Sequence, residues 1–272
     1  MEATLLLNDG RAIPRLGFGT WQIGDGEAPR AVGEAIRAGY RLIDTAAAYG
    51  NEAGVGRAIR DGDVARGEIF LTTKVWNDSH GFDAAMRSCE ASLKRLGLDA
   101  VDLLLIHWPC PGRDRYVETW KALVRLREEG RARSVGVSNF SATHLERIVA
   151  ETGVAPAVNQ IELHPRFQQA ALRAAHARHG IVTECWTPLG GDLLADPVVA
   201  GLAKKHGKSP AQVILRWHLE AGLVAIPKTT SPARMAENRN ILDFRLDGDD
   251  QARLAALDSS SGRTGPDPET FG

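Results

Sequence analysis

The chain predicts an α/β fold, a (β/α)₈ TIM barrel with an N-terminal β-hairpin and a short C-terminal extension, as one domain over residues 1–272. Three observations predict it. The length of 272 residues suits a barrel of this kind, which runs to ~250 residues. Short apolar runs alternate with helical patterns from end to end, as repeated βα units require. Each of eight such runs also ends in a polar or ionisable residue, as expected where barrel strands deliver side chains to one rim. The competing arrangement is an open, doubly wound parallel sheet.

The elements follow in order. Residues 4–7 and 11–13 flank Asn8-Asp9-Gly10, and an Asp-Gly pair favours a tight hairpin turn because glycine tolerates positive φ. Strands are expected at 15–20, 40–45, 69–74, 101–107, 134–139, 158–163, 181–187 and 223–228. Several are almost continuously apolar, as strands buried on both faces should be. Between them, Phe82, Ala85, Met86, Cys89 and Leu93 mark one face of a helix over 82–96. Ser141 reads as a helix N-cap, and Ser209-Pro210 and Ser231-Pro232 each place a cap before an N1 proline. The segment 262–272, rich in glycine and proline, reads as a loop or a frayed end.

Composition narrows the function. Apolar residues at 43% allow a sizeable core, and a net charge of −1 gives no field to draw nucleic acid or an anionic membrane. No apolar stretch is long enough to span a bilayer, and the N-terminus lacks the basic region of a signal peptide. The three cysteines are odd in number, widely separated and without a CxxC. Reduced thiols suit a cytoplasmic location.

The strand-end residues are Thr20, Asp44, Lys74, His107, Ser138 with Asn139, Gln160 with Glu162, Thr187 after Trp186, and Lys228. Asp44, Lys74 and His107 are ionisable, and Tyr49 follows Asp44 after a short loop. An ammonium near a phenol stabilises the phenolate and is expected to lower its pKa, making Tyr49 a better acid. Asp44 would hold Lys74, and His107 could donate a hydrogen bond to a substrate carbonyl. Together the four fit protonation of a carbonyl oxygen whose carbon receives hydride.

Each residue also has a bland reading. An Asp-Lys pair is more often structural, a histidine before a tryptophan is more often a satisfied buried one, and Lys228 with Arg234 would ordinarily be a solvated face. It is the joint set that outweighs these readings. Other motifs fail. His206-Gly-Lys-Ser209 has Leu202 where a phosphate-binding loop needs glycine, and no GxGxxG occurs. His176 and His179, i and i+3 on a helix, read as surface residues, with no metal site expected.

With those residues in place, the chain resembles the aldo-keto reductases over nearly its whole length. The resemblance rests on Gly17-Phe-Gly-Thr-Trp21, Tyr40-Arg-Leu-Ile-Asp-Thr-Ala46, Tyr49-Gly-Asn-Glu52, Thr73-Lys-Val-Trp76, residues 102–109, Gly136-Val-Ser-Asn139, Asn159-Gln-Ile-Glu-Leu-His-Pro165 and Ile226-Pro-Lys-Thr229. Leu7-Asn-Asp-Gly10 and Lys74-Val-Trp-Asn-Asp78 make it most similar to bacterial 2,5-diketo-D-gluconate reductase-like members.

The resemblance implies NADPH-dependent reduction of a ketone or aldehyde, with a keto-sugar among the substrates to consider. It makes Tyr49 the general acid, Lys74 and Asp44 its tuning pair, and His107 the group that orients the carbonyl. It places NADPH/NADP+ against Thr20, Asp44, Ser138, Asn139, Gln160, Trp186, Pro188, Leu189 and Gly190. The adenosine 2′-phosphate would meet Lys228, Thr229, Thr230, Ser231 and Arg234, and the adenine Glu237 and Asn238. Two cations beside hydroxyl donors suit a phosphate dianion, with NADH the weaker alternative. Substrate would enter beside Trp21, Trp76 and Trp108, against Tyr49 and His107. Short loops at 110–115, 190–197 and 259–272 imply an open mouth. A monomer with a small-molecule carbonyl substrate is expected. The alternatives are a cofactor-binding regulatory or structural member of the same fold with little turnover, and a sugar-phosphate isomerase using Lys228 and Arg234.

Overall fold

The structure is a computed structural model and describes residues 4–272. It opens with a hairpin, β1 (Thr4–Leu6) against β2 (Ala12–Pro14), with Leu5 opposite Ile13. Gly10 turns it at φ 85°, the conformation that Asp-Gly supplies.

Then come the barrel units: β3 (Gly17–Gly19), α1 (Ala28–Arg37), β4 (Leu42–Asp44), α2 (Glu52–Arg60), β5 (Phe70–Val75), α3 (Phe82–Leu96), β6 (Val101–Ile106) and α4 (Tyr116–Glu128). They continue as β7 (Ala132–Ser138), α5 (Ala142–Thr152), β8 (Val158–Glu162), α6 (Ala170–Arg178), β9 (Val182–Trp186), α7 (Pro197–His206), α8 (Pro210–Glu220), β10 (Val224–Ala225), α9 (Pro232–Arg239) and α10 (Gly248–Ala255). Strands β3 to β10 pair in sequence order, all parallel. A parallel bridge from Leu16 to Ala225 joins the first strand to the last, so the sheet closes as a barrel rather than ending in open edges. The doubly wound alternative is thereby excluded.

All eight expected barrel strands are present; most are shorter at their ends, while β5 is shifted by one residue and β7 begins two residues earlier. The helix over 82–96 is found, and Ser141, Ser209 and Ser231 cap α5, α8 and α9. Two units depart from a single helix per strand: β9 is followed by both α7 and α8, with Ser209 capping the second, and β10 by both α9 and α10.

Alternation along each strand sorts the side chains. One set faces the helices and forms the main core with Trp120, Phe18 and Tyr40. The other fills the barrel, with Leu42, Leu103, Leu105, Val158, Val224 and Ile226 in its lower part. Polar residues lie above that plug, which seals the site from below. Among the described residues no helix is long and apolar enough to cross a membrane.

Two expectations need correction. His176 is not a surface residue: it is buried, bonded to Asn159 at 2.8 Å and to Thr183 at 2.7 Å, while His179 lies just past the end of α6. The C-terminal segment, expected as a loop or a frayed end, is a loop and is not frayed. Glu162 accepts hydrogen bonds from Thr264 N at 2.7 Å, Thr264 Oγ1 at 2.5 Å and Gly265 N at 2.9 Å. Phe271 packs against Trp108 at a tilt, with ring centroids 4.6 Å apart. The segment is a strap over the barrel mouth, so the mouth is less open than short loops imply.

Candidate active site

Asp44 ends β4 and Lys74 lies one residue before the end of β5, on the neighbouring strand. Both are buried. Lys74 Nζ lies 2.7 and 2.8 Å from the two Asp44 oxygens, 3.0 Å from Thr45 O and 3.3 Å from Tyr49 Oη. Ala47–Tyr49 form a 3₁₀ turn closed by Gly50 in the left-handed region, which delivers the phenol to the ammonium. His107 follows β6, and its ring meets Tyr49 at 5.7 Å and Trp76 at 5.0 Å between centroids. The four expected residues therefore come together.

Their electrostatics revise one expectation. Burial raises the Tyr49 pKa; Lys74 opposes that rise, while the Asp44 charge adds to it. The net shift is upward, because burial outweighs the ammonium's influence and Asp44 offsets part of it. Burial works most strongly on Lys74, lowering its pKa, but the Asp44 charge, the neighbouring Tyr49 and the hydrogen bond to Asp44 together outweigh it and keep the ammonium charged. Burial, aided by Lys74, holds His107 well below its ordinary value, so its imidazole is neutral at physiological pH. Its Nδ1 is sealed without a partner, so His107 is not the satisfied core histidine of the bland reading.

Around this set stand the residues expected to hold a nicotinamide. Ser138 Oγ donates to Gln160 O at 2.8 Å. Asn139, at φ 62°, donates to His107 O at 3.0 Å and accepts from Trp186 Nε1 at 2.8 Å. That last bond fixes the half-buried indole of Trp186 as a platform. Gln160 Nε2 is 2.8 Å from Asp44 Oδ2, while its Oε1 has no partner among the described residues and is not sealed from solvent. A free acceptor beside an anchored aromatic face fits a nicotinamide carboxamide and ring. Thr20 is fully buried and donates to Asp44 O at 2.9 Å, which puts it behind the site as a brace.

Pro188, Leu189 and Gly190 follow β9, with Gly190 left-handed at φ 59°. Beyond β10, Lys228 and Arg234 are exposed and form no ion pair among the described residues. Thr229 is buried and its Oγ1 accepts from Ser231 N; Thr230 and Ser231 are partly exposed beside it. Glu237 is partly exposed and Asn238 buried, both on α9. Two uncommitted cations at the start of a helix fit a phosphate dianion. At the mouth, Trp21 is 57% exposed, whereas Trp108 is buried under Phe271.

A model of the aldo/keto reductase family matches residues 15–259. The chain belongs to the aldo/keto reductase family. An aldo-keto reductase of Mycolicibacterium smegmatis is 52% identical over 100% of this chain and 98% of its own length. The methylglyoxal reductase DkgA of Escherichia coli is 50% identical over 98% of this chain and 97% of its own. Among solved structures, a Gox0644 variant in complex with NADPH superposes with a TM-score of 0.96 at 48% identity, covering 100% of this chain and 99% of that one. As an aldo/keto reductase the protein is an oxidoreductase acting on carbonyl groups.

Reading the sequence missed Glu184 and Phe271, and named Glu162 only as a strand end. Glu184 lies inside the barrel on Gln160, Glu162 anchors the strap, and Phe271 covers Trp108. For Glu184 a signal was present: it is an acidic residue two positions before Trp186 on a buried strand, hence on the same face.

Proposed function

We propose that this protein reduces an aldehyde or ketone to the alcohol with NADPH, with Tyr49 as the general acid. The observation that carries the reading is Lys74 Nζ, held by both Asp44 oxygens and 3.3 Å from Tyr49 Oη beneath the mouth. The family resemblance, the free Gln160 Oε1 and the uncommitted Lys228 and Arg234 support the cofactor. NADPH supplies the hydride when bound.

The protein's part is protonation and placement. Burial keeps the Tyr49 phenol protonated at neutral pH, as a proton donor must be. As the proton leaves for the carbonyl oxygen, the Lys74 ammonium stabilises the developing phenolate through the existing contact. Asp44 keeps that ammonium charged and aimed. Neutral His107 donates to the same oxygen from its mouth-facing nitrogen. Trp21, Trp76 and Trp108 with Phe271 form apolar walls that favour a small carbonyl compound. A relative that is a methylglyoxal reductase makes small dicarbonyls natural substrates to test beside keto-sugars. Three buried free thiols support a reducing cytoplasm, and we take the working form to be a single-domain monomer.

The test is Tyr49→Phe. Turnover should fall by about 10²–10⁴-fold, while quenching of tryptophan fluorescence by NADPH persists. Full activity in that variant would refute the role. Tight NADPH binding by the unaltered protein, with no oxidation across a panel of aldehydes and ketones, would favour the regulatory alternative. The intact set of four residues speaks against that outcome.

A further inference from the structure

Glu184 on β9 is fully buried inside the barrel and has no place in the chemistry above. It is level with Gln160 on the adjacent strand. Gln160 Nε2 lies 2.8 Å from Glu184 Oε2 and 2.8 Å from Asp44 Oδ2. That pair of contacts orients the amide. An amide oxygen turned toward Asp44 Oδ2 would set two acceptors together with no proton between them, whereas the NH₂ group has one hydrogen for Asp44 Oδ2 and another for Glu184 Oε2. Both donors are therefore spent inward, and Oε1 is left facing the mouth. In the polar trio at this rim, the Ser138 hydroxyl and the Asn139 amide are already committed within the protein.

We propose that Glu184 is a positioning residue for hydride transfer, fixing the Gln160 amide so that its oxygen meets the carboxamide of the bound nicotinamide. The inference rests on the cofactor placement proposed above. Glu184 does this as a neutral acid. Its Oε1 is sealed without a partner, and an ionised carboxylate with a bare oxygen there would be an uncompensated buried charge. Burial, with the Asp44 charge second, pushes its acid up to about 8. Lys74 on β5 pulls the other way, but its ammonium is turned to Asp44, Thr45 and Tyr49. The remaining titratable neighbours are the Tyr49 phenol, uncharged when protonated, and the Cys185 thiol, which alternation sends to the helix-facing side; Val224 lies level with Glu184 on β10.

The experiment is a double-mutant cycle between Glu184 and Gln160, read in NADPH affinity and in turnover separately. Glu184→Ala should lower kcat by about tenfold, with a smaller change in NADPH Kd, because the rest of an extended cofactor is held elsewhere. Glu184→Gln, which stays neutral and keeps an acceptor, should recover most of that loss. In a Gln160→Ala background Glu184→Ala should cost almost nothing more, since the two act as one unit. The cofactor-free protein should also show the infrared carbonyl band of a neutral carboxylic acid at pH 6, absent in Glu184→Gln, a readout that holds even if Glu184→Ala does not fold. Equal, additive losses in both backgrounds would overturn the proposal, as would absence of that band. Failure of the unaltered protein to bind NADPH would overturn the cofactor placement itself and this role with it.

Discussion

Gly265 of the C-terminal strap lies flat against the indole edge of Trp186. A Cβ there would collide with Trp186 Cη2 and lie 3.2 Å from both Cζ3 and Glu162 Oε2. The indole cannot swing away freely, because its Nε1 is tied to Asn139. The strap therefore sets the resting place of the ring on which the nicotinamide is expected to stack. Gly265→Ala should weaken NADPH binding by about tenfold, or ~1.4 kcal/mol, with little loss of global stability. A titration of tryptophan fluorescence checks it. Unchanged affinity would show that the strap and the platform are independent.

The Lys74–Asp44 pair is buried on both sides, so its two halves cannot be removed independently. Lys74→Met leaves the Asp44 carboxylate without its cation, and stability should fall by about 3–5 kcal/mol. Adding Asp44→Asn should return much of that stability, because no uncompensated charge remains, without restoring turnover. Urea midpoints and turnover, measured on the same samples, separate the two effects. Recovery of activity in the double variant would remove Lys74 from the chemistry.

Most of the barrel was legible because strands buried on both faces read as apolar runs with polar ends, and because Ser141, Ser209 and Ser231 cap helices by local chemistry that needs no partner. Asp44, Lys74 and His107 were legible for a related reason: strand ends share one rim whatever the register. What depended on register was not. Glu184 gains its meaning only when β8 and β9 are aligned and Gln160 is found beside it. His176 looked solvent-exposed because the buried face of α6 is narrow, and the strap has no periodicity at all. The sign of the Tyr49 shift was also beyond reach, since burial outweighs Lys74 by an amount that spacing cannot reveal.

Buried histidines dictate behaviour in acid. His80, His176 and His218 are each pushed down to about 4, chiefly by burial, and His107 lies well below its ordinary value. A depressed pKa means that the unfolded chain takes the proton first. The stabilising contribution is present above about pH 6.5 and is lost as pH falls towards 4. Stability should therefore drop steeply across that window. Activity should show no inflection near pH 6.5 from His107, and kcat/KM against pH for the unaltered protein tests this. A bell limb centred there and abolished in His107→Gln would mean that the imidazole titrates in the working enzyme.

Glu184 acts in the opposite window. Its folded value, about 8, exceeds the ordinary 4.5, so the folded state holds a proton that the unfolded chain has released. Stability is fully retained below about pH 4.5 and declines as pH rises towards 8. Glu184→Gln removes that cost and should be the more stable protein at pH 7, by about 3 kcal/mol, with the advantage vanishing near pH 4.5. Chemical denaturation at a series of pH values gives the difference directly. A constant offset across the range would mean that Glu184 is ionised throughout.

Lys228 and Arg234 are expected to decide which nicotinamide cofactor is preferred. Both are exposed and uncommitted, so neither contributes to the fold in a way that would confuse the result. A 2′-phosphate would meet Arg234 as a planar fork and Lys228 as a point charge, beside the capped start of α9. Arg234→Ala should weaken NADPH binding by about 10- to 100-fold and Lys228→Ala by somewhat less, while NADH affinity, which gains nothing from these groups, stays within about twofold. Because the site is open to solvent, the NADPH advantage of the unaltered protein should shrink as salt is added. Parallel titrations with the two cofactors at low and high ionic strength measure all three effects. Equal losses for NADPH and NADH would place these cations on the pyrophosphate instead.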